Sequence, residues 1–238
     1  MRLSLLFTFI SMFGIVQASS EVTSYKVAFD KFMQGMKASE SPFSTEDQKI
    51  MQKAAEDLQK QLPSPGIEVG EKAPDFSLKN ALGKEIHLYE ELKKGPVILV
   101  FYRGAWCPFC NMHLHTLQEN LEFFNQYGAQ LITVTPQTPD KSAEQIKKDG
   151  YPFEVLSDLD NKVMKSYKLY FEMPEALLKV YKAHGLDIEA FNGIGRRGLP
   201  IPGSFVIDVD GTVRAMQAQT DYKLRMEPEV IVETLQGL

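Results

Sequence analysis

Val97-Ile98-Leu99-Val100-Phe101 followed by Tyr102-Arg103-Gly104-Ala105-Trp106-Cys107-Pro108-Phe109-Cys110 is the stretch on which the fold turns. The first five residues are β-branched or apolar with no polar alternation, as expected of a strand covered on both faces of a sheet. The run leads straight to two cysteines. Proline after Cys107 suits the first position of a helix, where its missing N–H is not needed. That helix is expected from Pro108 to about Tyr127, stopping at Gly128, with a second buried strand at Gln130 to Thr135. Strand, helix, strand at this spacing reads as a parallel crossover unit.

Working outward, short strands are expected at Asp75 to Leu78 and Glu85 to Leu88 around the turn Asn80-Ala81-Leu82-Gly83. Helices are expected at Asp140 to Lys148, Val163 to Leu169 and Pro174 to Ala183, followed by a Gly-rich loop. Ser204 to Ile207 and Val213 to Met216 flank Asp208-Val209-Asp210-Gly211, a hairpin signal, and Pro228 opens a last helix. The predicted class is α/β, a mixed sheet with helices on both faces. Upstream, the apolar spacing of Val22 to Met36 predicts one helix. Thr45 to Gln61 predicts a second, with Ser44 and Asp47 as its capping box. Pro63-Ser64-Pro65-Gly66 breaks the pattern and marks a linker.

At the N-terminus, Met1-Arg2 precedes an apolar run from Leu3 to Val16 and then Gln17-Ala18-Ser19-Ser20. The run is shorter than the roughly 20 residues a spanning helix needs, and it has the build of a secretory signal peptide cleaved after Ala18. The expected organisation is a signal peptide over 1–18, a helical extension and linker over 19–66, and one main domain over 67–238. The mature chain is expected to be exported, periplasmic or secreted, without stable membrane insertion. The 238 residues hold 26 Lys and Arg against 31 Asp and Glu, a net charge of −5, with no basic run. That balance argues against nucleic acid as a partner.

Only two cysteines occur, three positions apart. So short a loop constrains the unfolded chain little, so a redox role explains the pair better than a structural one. Unpaired N–H groups and the helix dipole at Cys107 favour a thiolate there, while Leu114 and Leu117 suggest that Cys110 is buried. Cys107 is therefore expected to attack and Cys110 to resolve. Asn111 stands where haem attachment would need histidine, and the spacing of His113 and His115 fits no usual zinc finger, so no cofactor or metal is expected. Both histidines read as surface or half-buried helix residues. Gly193 to Gly198 spells GxGxxG but precedes a strand instead of linking strand to helix, which sets nucleotide binding aside. Arg196, Arg197 and Arg225 read as solvated or as ties between loops.

From Gly70-Glu71-Lys72-Ala73-Pro74-Asp75-Phe76 onward the chain resembles the AhpC/TSA superfamily, in its peroxiredoxin-like branch with a CxxC motif. Phe101 to Cys110, Leu199 to Asp208 and Asp221 to Pro228 carry the resemblance in order. It implies a thioredoxin-like fold, with the two N-terminal helices as an extension common in that branch. It further implies reduction of hydroperoxides through a cysteine sulfenic acid, with electrons from a thioredoxin-like reductant. In ordinary peroxiredoxins the peroxidatic position falls on Cys110; Arg103 then stands where the family has Pro, and Cys107 where it has Thr or Ser. Pro202 resembles the cis-proline that faces the CxxC in thioredoxin-like proteins. Trp106 and Pro202 are thus the candidate substrate-binding residues beside the catalytic Cys107 and Cys110. An exported thiol-disulfide exchanger acting on protein disulfides is the alternative function.

Overall fold

The computed structural model describes residues 21–37 and 41–238, so the expected signal peptide and its cleavage point lie outside the described residues. In chain order the elements are α1 (Tyr25–Lys37), α2 (Thr45–Gln61), β1 (Ser77–Asn80), β2 (Glu85–His87), α3 (Leu88–Leu92), β3 (Val97–Phe101), α4 (Pro108–Glu119) and α5 (Leu121–Asn125). Next come β4 (Gln130–Thr135), α6 (Pro139–Asp149), β5 (Glu154–Ser157), α7 (Lys162–Ser166), β6 (Tyr170–Glu172) and α8 (Glu175–Ala183). The chain ends with α9 (Glu189–Asn192), β7 (Gly198–Pro200), β8 (Gly203–Ile207), β9 (Val213–Ala218) and α10 (Pro228–Gln236).

Seven strands form one mixed sheet in the order β2-β1-β5-β4-β3-β8-β9. β3, β4 and β5 run parallel, while β8 lies antiparallel against β3 and β9 against β8. All five residues of β3 are buried, as its unbroken apolar run requires. Alternate residues serve opposite faces. Val97, Leu99 and Phe101 enter one core with Phe205 and Tyr167, and Ile98 and Val100 enter the other with Leu114, Leu117 and both cysteines. The sheet is thus covered on both sides, and the cysteines belong to the core on the α4 side.

Several boundaries differ from expectation for identifiable reasons. The helix expected from Pro108 to Tyr127 breaks at Asn120, whose side chain donates to the carbonyls of Thr23 and Thr116 and accepts from the Thr23 N–H. Those bonds anchor the N-terminal segment where a continuous helix would run. α7 stops at Ser166, short of the expected Leu169. Lys168 adopts a left-handed φ of 56° and the chain turns into β6, while buried Tyr167 donates its hydroxyl to the Pro74 carbonyl. The Gly-rich loop carries α9 and β7, the latter pairing with β6 in a separate two-stranded sheet. β5, a short buried run beside β4, was not anticipated.

The two N-terminal helices pack onto different parts of the domain. α2 has the expected capping box, Ser44 Oγ accepting from the Asp47 N–H and the Asp47 carboxylate from the Ser44 N–H. It lies against α8, and α1 lies against α4. Phe29 and Phe32 of α1 reach the ring of Phe109, with centroids 6.0 and 5.5 Å away. No helix among the described residues is long and apolar enough to cross a membrane.

Candidate active site

The site begins where β3 ends. Tyr102 extends the strand direction through its N–H to the Val134 carbonyl, and Gly104 then turns the chain at a φ of 149°. A Cβ on Gly104 would stand 2.5 Å from Trp106 Nε1 and 3.2 Å from Gln137 Oε1, so the turn needs glycine on space as well as on backbone angle. Gln137 accepts from the Ala105 N–H at 2.8 Å, and Asn111 Nδ2 donates to the Ala105 carbonyl at 2.7 Å. Gln145 joins the Tyr102 hydroxyl to the Asn111 amide behind the loop. A buried polar network therefore fixes the segment that presents the sulfurs.

Cys107 is the N-cap residue of α4 and Pro108 its first helical residue, as the sequence indicated. Their environment differs from expectation. Cys107 makes no side-chain cap hydrogen bond, and its exposure is 0%, against 1% for Cys110. The solvent-reachable, helix-stabilised sulfur expected at Cys107 is not what the fold provides. Cys110 is buried as expected. Both cysteines are free, with their sulfurs 2.8 Å apart.

Each sulfur faces its own guanidinium. Arg103 Nη2 lies 3.2 Å from Cys107 Sγ, and Arg225 Nη2 lies 3.5 Å from Cys110 Sγ. Arg103 is stacked on Tyr222, 3.9 Å from the ring centroid, and on Trp106 at 4.9 Å. Arg225 also donates to the carbonyls of Tyr222 and Leu224. It is buried, a correction to its expected solvated role, because the stretch before α10 folds back across α4. Arg196 likewise points inward, to the carbonyls of Asn192, Pro136 and Asp158, and ties loops together. Arg197 is the more exposed of the three, paired with Glu175 and Glu189.

The charges divide the two thiols. Burial opposes ionisation of Cys110, but a proton shared from Cys107 together with the Arg225 and Arg103 charges holds it well below the ordinary thiol range. Burial, and then the neighbouring Cys110 sulfur, push Cys107 well above that range, although Arg103 works the other way. Ionisation of the reduced pair is thus favoured at Cys110 over Cys107. Arg103 stays charged despite its burial because the two sulfurs stand against it.

Trp106 lies half-buried over the sulfur cluster, its ring edge toward Tyr181 of α8. Pro202 immediately precedes β8, and the Ile201–Pro202 peptide is trans, so the expected cis-proline is corrected: no described peptide bond is cis. Pro202 still reaches the site through an apolar cavity of about 110 Å³, lined by Leu58 of α2, Leu177 and Tyr181 of α8, Ile201, Arg103 and Tyr222. His113 is fully buried instead of superficial, edge-on to Tyr25 at 5.5 Å, and His115 lies outside beside Asp149.

With this geometry in place, the comparisons agree on a lineage. The AhpC/TSA family profile matches residues 69–216, more than half of the chain. The chain belongs to the AhpC/TSA family. It is 24% identical over 169 residues to peroxiredoxin Bcp of Escherichia coli, covering 71% of this chain and 96% of that one. It is 27% identical over 173 residues to chloroplastic peroxiredoxin Q of Gentiana triflora, covering 72% and 67%. Peroxidoxin BcpB of Mycobacterium tuberculosis shares the fold, with a TM-score of 0.57 at 19% identity, covering 72% of this chain and 98% of that one. The sheet is thus the thioredoxin-like sheet the resemblance implied. The AhpC/TSA match contains both cysteines, Arg103 and Pro202. It leaves out α1, α2, Tyr222 and Arg225, so groups that touch Cys110 and Arg103 come from chain outside the matched span.

Arg225 and Arg103 are the site residues that sequence reading did not place. The signal available for Arg225 was its position in Asp221 to Pro228, a stretch that carries the resemblance without any cysteine of its own.

Proposed function

We propose that this chain is a thiol peroxidase that reduces hydroperoxides through Cys110 and Cys107 and is re-reduced by a thioredoxin-like donor. The observation that carries the reading is a buried pair of free cysteines with their sulfurs 2.8 Å apart and a guanidinium on each. The Cys110 thiolate attacks the terminal oxygen of the hydroperoxide. The O–O bond breaks, the alkoxide or hydroxide leaves and takes a proton from solvent to become alcohol or water, and Cys110 becomes a sulfenic acid. Arg225 and Arg103 stabilise the thiolate and donate toward the oxygens as negative charge develops on the leaving group. The Cys107 sulfur then displaces the hydroxyl from Cys110 as water, forming the disulfide. Because the sulfurs already adjoin, this step needs no unwinding of α4.

The apolar cavity beside Arg103 and Pro202 supports an organic hydroperoxide whose tail lies against Leu58, Leu177 and Ile201. Exchange with protein disulfides would use the same sulfurs, but the trans peptide at Pro202 removes the feature that favoured docking of such a partner. Mixing reduced protein with stoichiometric hydrogen peroxide, cumene hydroperoxide or a disulfide-bonded protein decides between the two. The peroxidase reading expects both hydroperoxides to consume the thiols faster; faster loss to the protein disulfide would reverse it. Export of the mature chain is part of the same proposal and rests on the apolar run Leu3 to Val16 before Ala18. Intact-mass measurement of the exported protein is expected to give a chain beginning near Ser19.

A further inference from the structure

Arg103 and Arg225 are both 7% exposed, and neither joins any ion pair with a carboxylate among the described residues; the arginine ion pairs there belong to Arg197 and Arg214. Arg103 Nε has no hydrogen-bond partner among the described residues. The remaining partners are the carbonyls of Tyr222 and Leu224 for Arg225, and the faces of Tyr222 and Trp106 for Arg103. Those groups supply only partial charge. Among the described residues, the sulfurs are the groups within hydrogen-bonding reach of either guanidinium that ionise to a full negative charge.

Oxidation changes that balance. In the dithiol state guanidiniums 3.2 and 3.5 Å from the sulfurs favour a thiolate between them; in the disulfide state neither sulfur is charged, and two buried guanidiniums lose that counter-anion. Buried cations without an anion are costly, so the disulfide is the disfavoured state of the couple. Stabilising the reduced form is what makes a dithiol–disulfide couple strongly oxidising.

We propose that Arg103 and Arg225 poise Cys107 and Cys110 as an oxidising couple, so that the oxidised protein hands its disulfide to thiols of ordinary reduction potential. The thiolate of an incoming thiol attacks one sulfur and opens the Cys107–Cys110 bond, giving a mixed disulfide. A second thiolate displaces the protein sulfur. Two thiols are oxidised to one disulfide, the pair gains two electrons, and of the two protons released one stays on Cys107 while the other goes to solvent. Charging the couple with hydroperoxide rests on the peroxidase reading; the poise itself does not.

The test is equilibration of the full-length protein in graded mixtures of reduced and oxidised glutathione, with alkylation and mass measurement of the dithiol fraction. Arg225→Met and Arg103→Met are each expected to shift the equilibrium at least tenfold toward the disulfide, about 30 mV per tenfold. Arg225→Lys should retain most of the effect, and Arg197→Met should leave the equilibrium unchanged. If the arginine variants fail to fold, the unmodified protein still decides the matter, since its dithiol form must melt at a higher temperature than its disulfide form. An equilibrium indifferent to both arginines, or a disulfide form that melts as high as the dithiol, overturns the proposal. No peroxide enters the measurement, so its failure would leave the peroxidase reading to be judged on peroxide consumption.

Discussion

Arg225 Nη2 rests 3.5 Å from Cys110 Sγ although 115 positions separate the two residues in the chain. A cation at that distance favours the charged form of an acid, so its removal must raise the pH at which Cys110 ionises. Arg225→Met is therefore expected to move the thiolate absorbance transition of Cys110 upward in pH. Peroxide consumption at neutral pH should fall once that transition passes pH 7, by about tenfold for each further unit. Arg225→Lys should recover part of both, and a pH profile identical to that of the unmodified protein would remove Arg225 from the site.

The order of attack follows from the same charges. Cys107→Ser should still react once with hydroperoxide and stop as a Cys110 sulfenic acid, trapped by dimedone and read by mass. Cys110→Ser should be inert. This reverses the assignment expected from the helix start alone, because both sulfurs are buried and the Cys107 hydrogen bond with the Arg225 and Arg103 charges favours ionisation of Cys110. A sulfenic acid formed at full rate in Cys110→Ser would restore the original assignment.

His113 gives the protein a specific acid sensitivity. Burial, and secondarily the Arg225 charge, pull its pKa down from 6.5 to about 3, against the opposing pull of a hydrogen bond with the Met226 backbone. Between those two values the unfolded chain binds a proton at this histidine that the folded chain refuses. Stability must then fall as pH drops from about 6.5 toward 3, by up to about 1.4 kcal/mol per pH unit from this group. Urea denaturation at pH 7, 5.5 and 4 should show a shallower decline in His113→Leu than in the unmodified protein. Parallel declines in the two proteins would show that His113 does not control it.

Glu227 caps a helix to which it does not belong. Its carboxylate accepts from the N–H groups of Tyr25 and Lys26, each at 2.9 Å, and from Ser24 Oγ at 3.0 Å, all at the start of α1. Glu227→Ala should loosen α1 by about 2 kcal/mol. Since α1 lies over Phe109, next to Cys110 in α4, limited proteolysis near residue 38 and the rate of thiol reaction with Ellman's reagent should both rise. Unchanged thiol reactivity would show that α1 does not cover the sulfurs.

What the sequence determined by itself was whatever depends on neighbours within a few positions. Val97 to Phe101 reads as a strand buried on both faces because no polar residue interrupts it. Ser44 and Asp47 read as a reciprocal cap because their spacing meets the free N–H groups of a first turn. Cys107-Pro108-Phe109-Cys110 reads as a redox pair at a helix start. The tertiary structure alone decided what depends on approach through space: the break at Asn120, made by bonds to Thr23; the burial of Arg225 against Cys110; and the trans peptide before Pro202. The sulfur that carries the charge belongs to this second group. A helix terminus is written locally, whereas the Arg225 guanidinium comes within 3.5 Å of Cys110 Sγ only when the chain folds, adding its charge to the Cys107 hydrogen bond that already favours a thiolate there.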